Sequence, residues 1–412
     1  LNGGEEMVFD ESNRPLKVLM FGWNFPPAIG GIEYVAQHLC RGLCELGCDI
    51  RVIARFGGGD GNLCVIRPSA PGLLRYLFFS LVSGLRLIRS QSVRPDVLVC
   101  PGIVDAPVAY VLSRLFRIPY VVLAHGSDVV HKGFLYRIVM TFLFRRADGV
   151  CANSRATNQL LLAIGCHENH LRVINPGVCT FGKMQEEGAQ PPARKTGTAE
   201  NHRPVLITVG RVIRRKGIGE FINHVLPGLV EQFPDILYYV VGGDASESLV
   251  HRERLLEQLQ SLVKEKGLEG HVCFTGQVSD EALAGFYERA DLFVLPVVPL
   301  TDDLEGFGIV ILEAALHGVP AVATRTGGIP DAIADGKTGM LLACGDYPAM
   351  LAAILDCLQN IQKRKAMGVC ARRRAVTDFS WQVISRQYFH FLVSMARRAK
   401  PEGKDFFASE TT

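Results

Sequence analysis

Asp291-Leu-Phe-Val-Leu295, then Glu305-Gly-Phe-Gly-Ile-Val-Ile-Leu-Glu313, then Pro320-Ala-Val-Ala-Thr324 follow one another along the chain. The outer two are apolar runs of strand length, and the middle one is a glycine-bearing loop that opens into an apolar helix. Strand, loop, helix and strand in that order is the unit from which parallel sheets are built. Gly306 and Gly308 flank Phe307 where the backbone must approach something closely, and Ile309 to Leu312 mark a buried helix start. Such a start offers unpaired N–H groups and a positive dipole end to an anion. The carboxylates of Glu305 and Glu313 accept hydrogen bonds from hydroxyls. The combination suits a polyhydroxylated, phosphorylated ligand, whereas two glutamates at this interval on a solvated helix would mean nothing.

Outward from this unit the same alternation fills the chain twice. In the first half, strands are predicted at Lys17–Phe21, Asp49–Ala54, Asp96–Cys100, Tyr120–Ala124, Gly149–Ala152 and Arg172–Ile174. Helical patterns separate most of them, as at 31–47, where Gly47 provides a stop. From about Gly177 the pattern collapses into Gln, Glu, Gly, Pro, Lys and Thr, including Gln190-Pro191-Pro192, which reads as a linker. Strands resume at Pro204–Val209, Ile236–Val241 and His271–Phe274, ahead of the two already quoted. The expected division is a polar tail at 1–15 without a signal-peptide pattern, a first Rossmann-like domain at 16–180, a linker at 181–203 and a second Rossmann-like domain at 204–379. A final amphipathic helix is expected at about 380–398. Two doubly wound parallel sheets facing each other leave a cleft, and ligands bind such sheets beyond the carboxyl ends of the strands.

Composition narrows the class. The 412 residues allow two or three domains at about 150 each. A formal net charge of +3, with no basic stripe interleaved with aromatics, gives no nucleic-acid binder. The 12 cysteines are scattered without metal-type spacing and read as reduced core residues of a cytosolic protein. His167 and His170 have a ligand-like interval but no partner cluster. No stretch approaches the roughly 20 apolar residues needed to span a bilayer.

Three further loops fall at strand ends. Asn24-Phe-Pro-Pro-Ala-Ile-Gly30-Gly31-Ile-Glu33 follows the first strand, and its glycine pair permits close approach of backbone to a phosphate or sugar. It lacks the spacing of a dinucleotide fingerprint or a P-loop. Ala124-His125-Gly126-Ser127-Asp128 brings His125 to a strand tip inside the cleft, with Asp128 to orient the loop or touch an acceptor. Gly210-Arg211-Val-Ile-Arg214-Arg215-Lys216-Gly217 concentrates cations at a strand-to-helix turn; Arg211 and Lys216 are the expected diphosphate ligands, with Arg214 and Arg215 solvated or supporting. The turns Gly242-Gly243-Asp244 and Gly276-Gln277-Val278 are weaker candidates. No Asp-x-Asp pair and no Cys/His cluster is visible, so no metal is implied. A leaving diphosphate would be neutralised by cations and helix-end amides.

Taken jointly, Gly30-Gly31-Ile32-Glu33, the His125 loop, Gly210-Arg211-x4-Lys216-Gly217 and Glu305-x7-Glu313 resemble the retaining GT-B fold glycosyltransferases of family 4. The pattern is nearest to bacterial mannosyl- and glucosyltransferases such as the phosphatidylinositol mannosyltransferases. The resemblance covers roughly residues 16–395 and implies that the second domain binds a nucleoside diphosphate sugar and the first an acceptor. It places Glu305 on sugar hydroxyls, Glu313 on the ribose, Arg211 and Lys216 on the diphosphate, and Gly306, Phe307, Gly308 and Ile309 around sugar and phosphate. Gly30 and Gly31 would approach from the other domain, His125 would sit beside the transferred sugar, and Glu33 and Asp128 would lie on the acceptor side. The resemblance also implies that the last helix returns to the first domain.

The expected reaction is hexosyl transfer with retention, by a front-face mechanism, since nothing assigns Glu305 the nucleophile role that double displacement requires. GDP-mannose is favoured, with UDP-glucose or UDP-N-acetylglucosamine open. The acceptor would be a glycan or lipid-linked hydroxyl, and the protein cytoplasmic or peripheral on the inner face of the membrane. Residues 72–90 and Phe134–Arg146 read either as core helices or as membrane-surface helices with apolar and arginine faces. The rival readings are a catalytically silent sugar-nucleotide-binding subunit and a sugar-nucleotide epimerase.

Overall fold

A computed structural model describes residues 14–27, 30–55, 64–66, 72–90, 94–130, 133–179, 203–244 and 255–398. The expected tail at 1–15 and linker at 181–203 therefore lie almost wholly outside the described residues. The chain forms two sheets with all strands parallel. The first holds β1 (Lys17–Gly22), β2 (Asp49–Ala54), β3 (Cys64–Ile66), β4 (Val97–Cys100), β5 (Tyr120–Ala124), β6 (Gly149–Ala152) and β7 (Leu171–Val173), in spatial order 3-2-1-4-5-6-7. The second holds β8 (Val205–Val209), β9 (Leu237–Val241), β10 (Val272–Gly276), β11 (Leu292–Leu295), β12 (Ala321–Thr324) and β13 (Gly339–Leu342), in order 10-9-8-11-12-13. Each order reverses direction once, between β1 and β4 and between β8 and β11. A crevice opens at such a switch point, so the loops after these strands are where a ligand would sit.

Continuous apolar runs make the strands, because a sheet buried on both faces needs no polar alternation. The burial of β4, β5, β6, β8, β11 and β12 is complete along their lengths. In the first lobe, α1 (Gly31–Glu45) covers one face, and α2 (Leu73–Arg89), α3 (Ala106–Phe116) and α4 (Phe134–Arg146) lie side by side on the other. α5 (Arg155–Ala163) follows β6, its first turn capped by the Ser154 hydroxyl, which accepts from the Thr157 N–H.

The second lobe carries α6 (Ile218–His224), α7 (Leu226–Gln232), α8 (Leu255–Glu265), α9 (Asp280–Arg289), α10 (Ile309–Leu316), α11 (Ile329–Ala332), α12 (Tyr347–Gln359) and α13 (Ile361–Phe379). α14 (Trp381–Arg398) then crosses back and packs on α1 in the first core. Where the chain leaves and returns, the Val178 N–H donates to the Phe379 carbonyl at 2.8 Å. Val178 and Phe379 pack into the second core and Trp381 into the first. A Cβ on Gly177 would come within 2.7 Å of the Trp381 ring, so glycine is what lets the indole lie across the crossing.

Candidate active site

The loop after β8 and the loop after β11 meet at the second switch point. The 210–217 loop is shaped first by glycine: Gly210 and Gly217 adopt φ of 132° and 66°, and a Cβ on Gly217 would lie 1.9 Å from the Pro296 carbonyl oxygen. Between them Arg214–Lys216 form one 3-10 turn. Its tight pitch points Arg214 to solvent and turns Arg215 and Lys216 inward, where both are 7% exposed. Of the two roles expected for Arg214 and Arg215, solvated or supporting, Arg214 takes the first and Arg215 the second.

Glu305 receives both cations. Lys216 Nζ donates to Glu305 Oε2 at 2.9 Å, and Arg215 Nη1 donates to the same oxygen. Arg215 Nε donates to Asp303 Oδ2 at 2.8 Å. Burial works against the Glu305 charge, yet Arg215 and Lys216 outweigh it and hold the carboxyl down at about 2. For Lys216 the balance falls the other way: burial lowers its pKa more than Glu305 restores it, and the charges of Arg215 and Arg211 lower it further. Arg211 itself is exposed. Two carboxylates and two buried cations therefore satisfy one another, leaving Glu305 Oε1 as the oxygen for a hydroxyl donor.

Glu313 lies one turn into α10 and accepts from the Tyr287 hydroxyl at 3.0 Å. Burial raises its pKa, with the Tyr287 bond and the Lys216 charge pulling back. The two glutamates of one motif thus have opposite electrostatic settings. Between them Gly308 caps α10 at φ 86°, Phe307 is buried against Phe379, and Ile309 packs against the cores of both lobes. The backbone of 306–308 faces the cleft because its one large side chain is anchored behind it.

Facing this from the first lobe is the His125 loop. His125 Nε2 lies 2.6 Å from the Pro101 carbonyl oxygen, which only accepts, so Nε2 is the donor of this contact and Nδ1 is the other ring nitrogen. Asp128 Oδ1 accepts from the His125 N–H at 3.0 Å, so Asp128 orients the loop. The lobes touch here: a Cβ on Gly306 would lie 2.2 Å from the His125 carbonyl oxygen and 2.6 Å from the Asn153 amide nitrogen. Gly126, at φ 92°, faces Gly306 from the other side.

Other expected residues sit differently. Glu33 is 9% exposed, accepts from Asn24 Nδ2 at 2.7 Å and folds back over Gly30, where a Cβ would meet its carboxylate at 2.3 Å. It occupies the positive end of its own helix rather than projecting into the cleft. Gly31 has open space around it. Gly242 and Gly243 support the 210–217 loop, since the Val212 N–H donates to the Gly243 carbonyl at 2.9 Å. Among the described residues no group of three His, Cys, Asp or Glu comes together as a metal set.

Three features escaped the sequence. Asp303 is one, signalled by the Asp302-Asp303 pair just ahead of Glu305. Thr326-Gly327-Gly328 is the second: the Gly328 N–H donates to the Glu305 carbonyl at 2.9 Å, and a Cβ on Gly328 would meet the Gly306 carbonyl at 1.9 Å. The third is a lobe-to-lobe contact, in which Arg155 donates to buried Asp331 from its N–H and its Nε, each at 2.6 Å.

Comparison with known proteins agrees with this geometry. The family model described as "Glycosyltransferase Family 4" matches residues 29–180, and that described as "Glycosyl transferases group 1" matches residues 190–374. A GDP-mannose-dependent alpha-(1-6)-phosphatidylinositol monomannoside mannosyltransferase of Mycolicibacterium smegmatis is 33% identical over 265 residues, covering 63% of this chain and 65% of that one. A glycogen synthase of Mycobacterium tuberculosis is 26% identical over 408 residues, covering 90% and 92%. Among solved structures, a sucrose-phosphate synthase from Thermosynechococcus elongatus superposes with a TM-score of 0.77 at 21% identity, covering 93% of this chain and 100% of that one. Anabaena HepE in complex with UDP and glucose does so with a TM-score of 0.71 at 20% identity, covering 92% and 100%. With a family 4 domain in its first lobe, a group 1 domain in its second and two parallel sheets facing across a cleft, the chain belongs to the GT-B glycosyltransferases.

Proposed function

We propose that the chain is a retaining hexosyltransferase that moves a sugar from a nucleoside diphosphate donor, GDP-mannose before UDP-glucose or UDP-N-acetylglucosamine, to a hydroxyl of a glycan or lipid-linked acceptor. The observation that carries this reading is the Arg215–Glu305–Lys216 cluster at the second switch point, directly opposite the His125 loop. A diphosphate arriving at Lys216 and exposed Arg211 would find two cations beside the open start of α10. Glu305 Oε1 would take a sugar hydroxyl, and Glu313 would take the ribose. The preference for GDP-mannose leans on the mycolicibacterial relative, a GDP-mannose-dependent mannosyltransferase by name.

The reaction needs no metal in this reading, because the developing charge on the leaving diphosphate is met by fixed cations in a low-dielectric site. Retention would follow a front-face course. Glu305, with two cations drawing on one of its oxygens, is a poor nucleophile, and the leaving phosphate can take the acceptor proton itself. The His125 ring, held through Nε2 by the Pro101 carbonyl, would meet a sugar hydroxyl near the reacting carbon through Nδ1. The work would be done in the cytoplasm, at the inner face of the membrane.

Calorimetry with GDP-, UDP- and ADP-sugars tests the donor, and NMR of the product tests the anomeric outcome. Release of nucleoside diphosphate only when acceptor is present, unchanged by chelator, is the expected result. Donor conversion without acceptor would point to epimerisation, binding without turnover to a silent subunit, and a trapped glycosyl-enzyme adduct to double displacement.

A further inference from the structure

We propose that the outer face of α2, α3 and α4 docks on an anionic lipid bilayer. The inner sides of these helices pack onto the first sheet and fill its core, as core helices do. Their outer sides remain apolar as well. Leu74, Phe78, Phe134, Leu135 and Ile138 are 81%, 71%, 74%, 74% and 51% exposed. In α4 only Leu143 and Phe144 are buried, so most of a helix written as a core segment faces outward. Apolar side chains this large and this close together mark an interaction surface rather than ordinary exposure.

Charge selects the partner. The 17, 11 and 13 residues of these helices contain no Asp or Glu. They contain Arg75, Arg86, Arg89, Arg114, Arg137, Arg145 and Arg146, all exposed. The whole chain is nearly balanced, with 44 basic and 41 acidic residues, so this face is a segregated one. Exposed Phe and Leu with arginines and no acid fit the interfacial zone of a bilayer, where rings enter the headgroup region and guanidinium groups meet lipid phosphates. Among the described residues no helix is long and apolar enough to cross a membrane.

The layout also fixes an orientation. A crossover helix runs back along its sheet, so its start lies near the carboxyl ends of the strands, which is the cleft side. Leu74 and Phe78 lie in the first turns of α2, and Phe134, Leu135 and Ile138 in those of α4. Arg86, Arg89, Arg145 and Arg146 lie in the last turns. Docking by the helix starts brings the lip of the cleft, including the His125 loop that precedes α4, onto the lipid headgroups. If the proposed transfer reaction holds, a lipid-anchored acceptor would reach the cleft without leaving the bilayer.

Flotation of the full chain with vesicles of phosphatidylcholine alone, and of phosphatidylcholine with phosphatidylglycerol, tests this without donor or acceptor, so its failure is separate from failure of the transferase reading. Binding is expected only to the anionic vesicles and should weaken as salt rises. Phe134→Ser with Leu135→Ser should reduce it at least about tenfold, and Arg75→Gln with Arg137→Gln, in the first turns of α2 and α4, by about tenfold with a shallower salt dependence. All four positions are exposed, and unchanged thermal melting would confirm folding. No binding at low salt, or equal binding by wild type and both variants, would overturn the proposal. So would a dimer, seen by sedimentation, that the same variants dissolve while vesicles remain unbound.

Discussion

Asp105 and Glu305 are buried carboxyls at comparable places in the two lobes, each in the loop that follows the strand on the far side of a switch point. Their settings are opposite. Glu305 has Arg215 and Lys216 against it and is held down at about 2. Asp105 has no cation: the Trp23 N–H and the Tyr76 hydroxyl donate to its Oδ1, at 3.0 and 2.7 Å, and its Oδ2 has no partner among the described residues. Burial raises it to about 6, with those two bonds pulling back. The same sheet order thus supports a carboxyl held charged by cations in one lobe and a carboxyl whose charge is disfavoured by burial in the other. The sheet decides where a loop lies, and the counter-charges decide what it can bind. Of the two carboxyls, only Glu305 stands among cations that a diphosphate would also need.

The largest way to break the contrast is Glu305→Ala, which leaves Arg215 and Lys216 buried without their shared partner. A loss of about 3–5 kcal/mol is expected in denaturant unfolding at neutral pH. Because the Glu305 pKa is depressed from its ordinary 4.5, the stability it supplies is present above that value and fades as pH falls towards 2. The variant should therefore lose its disadvantage in acid.

Next, Lys216→Ala should lower kcat about 10²–10³-fold and weaken nucleoside diphosphate binding by calorimetry; unchanged affinity would remove Lys216 from the site. Gly306→Ala sharpens the comparison from the interface: its Cβ would push the His125 carbonyl away, so transfer should fall by about 10²-fold while unfolding stability changes little. The smallest effect belongs to Asp105→Asn, which keeps both bonds to Oδ1. The Asp105 pKa is raised from 3.8, so its favourable contribution is present below that pH and is lost as pH rises through about 6. The variant should gain on wild type as pH rises from about 4 to about 7, by at most about 3 kcal/mol. A flat difference across that range would show that Asp105 does not titrate there.

The strands were legible because sheets buried on both faces are written as uninterrupted Val, Ile, Leu and Ala, and all eleven expected runs form strands with ends within two residues of those expected. β3 and β13 were not. Each is a short edge strand of three or four residues, and an edge needs less apolar content to pair. In the site, Lys216 and the Glu305–Glu313 unit could be found because glycines bracket them. Arg215 could not be told from Arg214, both being read as solvated or supporting, because Asp303, the partner that draws Arg215 inward, lies 88 residues away. Spacing within one loop reports which cations are near each other, and only the fold reports which of them lose their water. Helix α4 shows the same limit, since an apolar pattern does not say whether it faces a sheet or the outside.

The bond between Val178 and Phe379 lies where the chain leaves one lobe and where it comes back. Two joins side by side behave like the pin of a door. A turn of one lobe about that line would spare the pairing, whereas sliding past each other or parting would break it. A turn that carried Gly306 away from the His125 carbonyl would also have to part Arg155 from Asp331.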